Sequence, residues 1–104
     1  MESYKVLRWK EAEAPTAEAL RGLMERDGYR VFHWSDAPGT VYGEHYHSEA
    51  QSHCVVSGEI ELELRGAGKV ILRPGDRDQM PAGTYHAARV LGDEPVVYLI
   101  GVKN

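Results

Sequence analysis

Between Glu59 and Leu64 the chain reads EIELEL, a strict alternation of carboxylate and aliphatic side chains. A period of two is the repeat of a β-strand, whose successive side chains leave opposite faces. Ile60, Leu62 and Leu64 therefore make a buried face, and Glu59, Glu61 and Glu63 a wet one. The three glutamates read as a solvated surface rather than a catalytic cluster. Similar short segments follow one another along the chain. Strand character is predicted over 29–34, 40–47, 51–56, 69–72, around 79–80, and over 85–91 and 96–102. Turn residues punctuate them at 36–39, 66–68, 74–76, 81–83 and 92–95, with a tight hairpin-like turn at Ser57-Gly58 and a polar connection at 48–50. Short strands with turn signals every eight to twelve residues or so indicate an antiparallel sandwich or barrel.

One segment departs from this period. Leu20, Leu23 and Met24 fall at i, i+3 and i+4, one apolar stripe of a helix. Thr16 suits its N-cap, Glu18 its first turn, and Gly28 the left-handed residue that closes it. This helix is predicted to pack outside the sheet, after a short strand over 4–9.

At 104 residues the chain has enough length for one domain and one core, with an N-terminal strand and helix over 1–28 and a barrel over 29–102. No apolar run approaches the roughly 20 residues of a membrane-spanning helix. The first residues lack the layout of a signal peptide, so a cytoplasmic location is the default expectation. The formal net charge of −4 argues against a nucleic-acid partner, which needs a basic face. The single cysteine, Cys54, excludes an intramolecular disulfide; by strand parity it lies opposite Gln51 and His53 and reads as a small core residue.

Four of the five histidines lie between Gly39 and His86. His45 and His47 are two apart, so on one strand both face the same side, and His86 arrives from a distant strand. Three neutral imidazoles meeting in one pocket would hold a transition metal. His53, two residues past Gln51, faces the same interior. It can serve as a fourth ligand in place of Gln51, as a general base beside the metal, or as a hydrogen-bonding neighbour of a ligand. Tyr42 and Tyr46 alternate with the ligands and are predicted to point away from the pocket, as is Tyr85 beside His86. Arg77 and Asp78 read as loop-pinning residues in the turn after Pro74-Gly75, and His33 as an ordinary surface or sheet residue.

The spacing of these residues resembles the two signature motifs of the cupin superfamily. From Gly39, five residues lead to His45, one to His47, three to Gln51 and six to Gly58. From Gly75, five lead to Pro81, one to Gly83 and two to His86. Gln51 stands where that family usually carries a glutamate ligand, and Val90 where it usually carries an asparagine. The resemblance covers roughly residues 29–102 and implies an all-β double-stranded β-helix, a six-stranded jelly-roll barrel with the short N-terminal helix outside it.

It further implies one divalent transition metal per chain (iron, manganese, zinc, nickel or copper) held by His45, His47, His86 and Gln51. A neutral ligand set would leave the ion its full charge, a stronger Lewis acid for anionic or chelating substrates. A small organic molecule in the barrel is the implied partner, and a homodimer the implied assembly, pairing through exposed strands such as 96–102 or 4–9. Among reactions, dioxygenase-like chemistry with His53 as base is the leading expectation. Isomerase, lyase or decarboxylase chemistry, or a non-catalytic binding barrel, are the alternatives.

Overall fold

In the computed structural model, which describes residues 3–103, the period-two segments form two antiparallel sheets. The elements run β1 (Lys5–Leu7), α1 (Ala17–Arg26), β2 (Arg30–Asp36), β3 (Val41–His45), β4 (Ala50–Ser57), β5 (Glu59–Leu64), β6 (Gly68–Leu72), β7 (Arg77–Gln79), β8 (His86–Leu91) and β9 (Val96–Lys103). A five-stranded sheet has the order β1-β7-β4-β9-β2, and a four-stranded sheet the order β3-β8-β5-β6. This is a jelly roll with one short helix, as predicted, although nine strands rather than six are formed among the described residues.

The interior is filled from both sheets. Val55, Met80, Val96 and Tyr98 of one sheet side pack with Ile60, Leu62, Leu64, Leu72 and Val90 of the other. The alternation of β5 appears as predicted, its aliphatic residues buried. Its glutamates lie on the outer face, where Glu61 pairs with Arg89 and Lys69, and Glu59 with Arg73. Such surface pairs are each worth about 0–1 kcal/mol, so they keep the face wet more than they hold the sheet.

The helix covers the outside of the five-stranded sheet. Thr16 caps it, accepting from the backbone N–H of Ala19, and Leu20 and Met24 are buried against Tyr29, Cys54 and Leu99. Cys54 thus sits on the outer face of β4, away from His53, and burial pushes its thiol up to about 12. Arg77 ties the helix end down through Asp27, at 2.8 Å. The approach is close because Gly101 has no side chain: a Cβ there would lie 2.8 Å from the Met24 methyl.

Three expectations are corrected here. Strand β9 is not an exposed edge. It lies between β4 and β2 and is covered by the barrel interior on one side and α1 on the other, which is why its sequence is apolar on both faces. The free edges are β1, β2, β3 and β6, so the edge argument for a homodimer keeps only β1 of the two strands named for it. Ser57-Gly58 does not close a hairpin, because β4 and β5 belong to different sheets. It is the corner where the chain changes layer. Arg77 and Asp78 lie on a strand, β7, and not in a turn.

The corner makes a quantitative prediction. Gly58 has φ +80°, and a Cβ there would stand 2.5 Å from the Pro95 carbonyl oxygen. Gly39 has the same φ and nothing within 4 Å. Urea unfolding should therefore show Gly39→Ala costing about 1 kcal/mol, from backbone conformation alone, and Gly58→Ala costing clearly more, above about 2 kcal/mol. Equal losses at the two positions would show that the layer-changing corner tolerates a side chain.

Candidate metal centre

His45 and His86 are direct cross-strand neighbours in the β3–β8 pairing, and such partners share a face of the sheet. Strand β3 ends at His45, and His47 lies just beyond it. The three rings nonetheless converge, with centroids 4.3 Å apart for His45–His86, 4.8 Å for His45–His47 and 5.1 Å for His47–His86. One ring nitrogen from each lies within 4.8 Å of the others. An ion with nitrogen ligands at about 2.1 Å needs them about 3–3.5 Å apart, so ring movements of about 1 Å complete the set.

The hydrogen bonds select the ligand atoms. His45 Nδ1 lies 2.7 Å from the Gly43 carbonyl and His86 Nδ1 2.9 Å from the Thr84 carbonyl. A carbonyl only accepts, so each Nδ1 is the donor, and in the neutral ring Nε2 is then the nitrogen with a lone pair for a metal. Burial, reinforced by the neighbouring imidazoles, pushes His47 down to about 4. His86 is also lowered, by burial first, against the opposing Thr84 hydrogen bond. Both rings are thus held neutral, the form a metal requires. On donor type, tautomer and convergence, the residues fit a divalent transition metal.

The histidines open into a cavity of about 230 Å³. Gln51 and His53 line it beside them, Ile60, Leu62, Ala88 and Ile100 supply apolar walls, and Trp34, Tyr42 and Tyr98 an aromatic one. Tyr46 and Tyr85 point outward as predicted, their rings tilted against each other at 5.0 Å on the surface with Arg65 over Tyr85. Tyr42 does not. Between Tyr42↔Ala88 and His45↔His86, β3 spends three residues where β8 spends two. This β-bulge resets the alternation and brings Tyr42 to the same side as His45.

His53 is not part of the three-imidazole group. Its ring centroid lies 6.1 Å from that of His86, and its Nδ1 lies 3.1 Å from both oxygens of Asp78. Asp78 is fully buried. It also accepts from the His53 backbone N–H at 2.6 Å and from the Tyr4 hydroxyl at 2.8 Å. Burial alone would lower His53, but the Asp78 charge and hydrogen bond outweigh it and the imidazole is raised. Asp78, expected to pin a loop, is instead the buried partner of His53, a contact the sequence reading missed. Its signal was parity: two residues before the inward-facing Met80, it falls on the inner face once 77–79 is read as strand.

Residues 32–102 match the family described as Cupin domain, and the chain belongs to that family. A comparison with curated proteins gave no match. Among solved structures it is similar to a chain described under "Crystal structures of DMSP lyases RdDddP and RnDddQII", with 33% identity over 73% of this chain and 38% of that chain and a TM-score of 0.66. It is similar also to the DMSP lyase DddQ from Ruegeria pomeroyi DSS-3, with 27% identity over 75% of this chain and 39% of that one and a TM-score of 0.67. KdgF from Halomonas sp. shows 32% identity over 73% of this chain and 70% of its own, with a TM-score of 0.59. The chain spans about two fifths of the length of the lyase chains it matches.

Two measurements check the site. A divalent metal at about 100 times its dissociation constant stabilises a protein by about 2.7 kcal/mol, a rise in thermal midpoint of roughly 10–20 °C for a domain this size. Wild type should show this rise, and His47→Ala should lose most of it while remaining folded; an equal rise in both would place the metal elsewhere. The second concerns acid. His47 is lowered from the usual 6.5 to about 4 in the folded chain, so the unfolded state binds more protons between these values. The stability of the metal-free protein is then complete above about pH 6.5, as far as this group goes, and falls as pH drops towards 4. His47→Gln should flatten that fall in thermal melts, and an unchanged slope would contradict it.

Proposed function

We propose that this chain is a metal-dependent enzyme of the lyase type, acting on a small organic carboxylate. The observation that carries this reading is the convergence of His45, His47 and His86 on one point of a cavity that is otherwise mostly apolar and aromatic. The likeness to lyases at 33% and 27% identity supports elimination chemistry over the oxygen chemistry the sequence first suggests.

His45, His47 and His86 would hold a divalent ion such as iron, manganese, zinc, nickel or copper, and Gln51, which lines the same cavity, would offer its amide oxygen as a further ligand. When bound, the metal supplies Lewis acidity that polarises the substrate's carboxylate. The chain supplies the rest. His53 donates Nδ1–H to Asp78, which turns the Nε2 lone pair to the cavity. That nitrogen takes the proton from the carbon beside the carboxylate. The C–H electron pair becomes the new C=C bond, and the leaving group departs with the electrons of its own bond. Asp78 fixes the ring and stabilises the imidazolium that forms. Ile60, Leu62 and Ile100 keep the reacting carbon in an apolar surrounding, which strengthens each of these charge interactions.

A panel of β-substituted carboxylates, followed by ultraviolet absorbance of the unsaturated product, tests the reading with the metal-loaded protein. Positioned general bases contribute about 10²–10⁴-fold. His53→Ala should lose turnover by a factor in that range with metal content unchanged, and His47→Ala should lose metal and turnover together. Oxygen uptake in step with product, or full turnover in His53→Ala, would contradict the proposal.

A further inference from the structure

The carboxylate behind His53 has a partner from outside the barrel. Oδ1 of Asp78 accepts the His53 backbone N–H at 2.6 Å, and Oδ2 accepts the Tyr4 hydroxyl at 2.8 Å. His53 Nδ1 stands 3.1 Å from each oxygen, so its proton is shared evenly between them. A shared proton makes a poorer bond to either oxygen than an in-line one. The even arrangement therefore persists only while the carboxylate is kept from rotating. Here each oxygen has a second donor, and the carboxylate plane is pinned at both ends.

The two pinning donors differ in origin. One is the backbone of β4. The other comes from 74 positions before Asp78, just ahead of β1 and outside residues 32–102 that match the family. Strand β1 is an edge strand, paired with β7 as Lys5↔Gln79, Val6↔Asp78 and Leu7↔Arg77. Tyr4 and Val6 lean on the barrel core. Beyond β1, Asp76 fastens the same segment, accepting the Trp9 backbone N–H and the Arg8 guanidinium, each at 2.9 Å. Burial, and then the charge and hydrogen bond of Asp78, raise the Tyr4 phenol, so it stays a protonated donor.

We propose that Tyr4 is a positioning residue for His53: its hydroxyl on Asp78 holds the imidazole with Nε2 turned to the cavity, so that segment 4–9 completes a site the barrel alone leaves loose. Its importance for turnover rests on the reading of His53 as the base. Without the hydroxyl, Oδ2 is freed, the carboxylate rotates until one oxygen takes the ring N–H in line, and the ring follows. A role confined to folding would weaken the chain without moving the ring.

Nitrogen-15 NMR of the full, zinc-loaded chain with labelled histidines, recorded where the ring is neutral, reads this directly. Wild type should show one His53 tautomer, protonated at Nδ1 and bare at Nε2, and a Tyr4 hydroxyl proton protected from exchange with water. Tyr4→Phe keeps the ring's packing and should give His53 a mixture of tautomers. Arg8→Gln loosens the same segment but keeps the hydroxyl, and should leave the His53 signals as in wild type. On the carboxylate panel, Tyr4→Phe should lower kcat about ten-fold with KM little changed. In a His53→Ala background it should cost nothing further. Unchanged His53 signals in Tyr4→Phe, an equal change in Arg8→Gln, or additive losses in the double variant would overturn the positioning role and leave the lyase reading standing. Wild-type signals as expected, lost in Tyr4→Phe, with no turnover of any carboxylate would do the reverse. Should Tyr4→Phe fail to fold, the wild-type spectrum decides: a Tyr4 hydroxyl in free exchange, or a His53 proton on Nε2, overturns the proposal.

Discussion

The pairing of His45 with His86 across β3 and β8 is the contact on which the rest of the site depends. Residues 41 positions apart become nearest neighbours on one face of a sheet. That register is fixed on the other side of β8 as well, where Leu64 opposes His86 and Ile60 opposes Val90. A slip by one residue would turn His86 and Val90 outward together and empty both the site and part of the core. The apolar interior therefore enforces the register, and the register delivers the imidazoles. Stability and chemistry are linked through the same strand.

Two further ties hold the histidines in usable form. The bulge in β3 carries the Gly43 carbonyl to within 2.7 Å of His45 Nδ1, so one irregularity both brings Tyr42 into the cavity and sets the tautomer of a ligand. Asp78 does the equivalent for His53, from a three-residue strand locked between β1 and β4. The polar groups at this end of the barrel are thus paired outward, away from the cavity. The nitrogens facing inward are left to a metal or a substrate.

Much of this was legible in the sequence where a residue's role follows from local pattern. The alternation of β5, the cap at Thr16, the outward Tyr46 and Tyr85, and the core position of Cys54 depend on parity or on neighbours within one turn. The three histidines were legible because their spacing repeats a family pattern. What escaped depends on partners distant in sequence. Tyr42 was assigned to the wrong face because a bulge adds a residue to one strand only, and no composition marks it beyond Gly43. Ser57-Gly58 has the residues of a hairpin turn, yet Gly58 is required by the backbone of Pro95 and Val96 from another layer. Strand β9 looked like an exposed edge because its two covers, the opposite sheet and α1, are both supplied by remote segments. Asp78 looked like a loop residue because β7 is only three residues long and takes its strand character from β1 and β4.

The most direct measurement is a crystal structure of the metal-loaded protein with diffraction recorded at the metal's absorption edge. The account predicts one anomalous peak per chain, about 2.0–2.2 Å from Nε2 of His45, His47 and His86, with both Nδ1 hydrogen bonds to Gly43 and Thr84 preserved. A peak ligated elsewhere, or three rings that stay apart in the presence of excess metal, would contradict it.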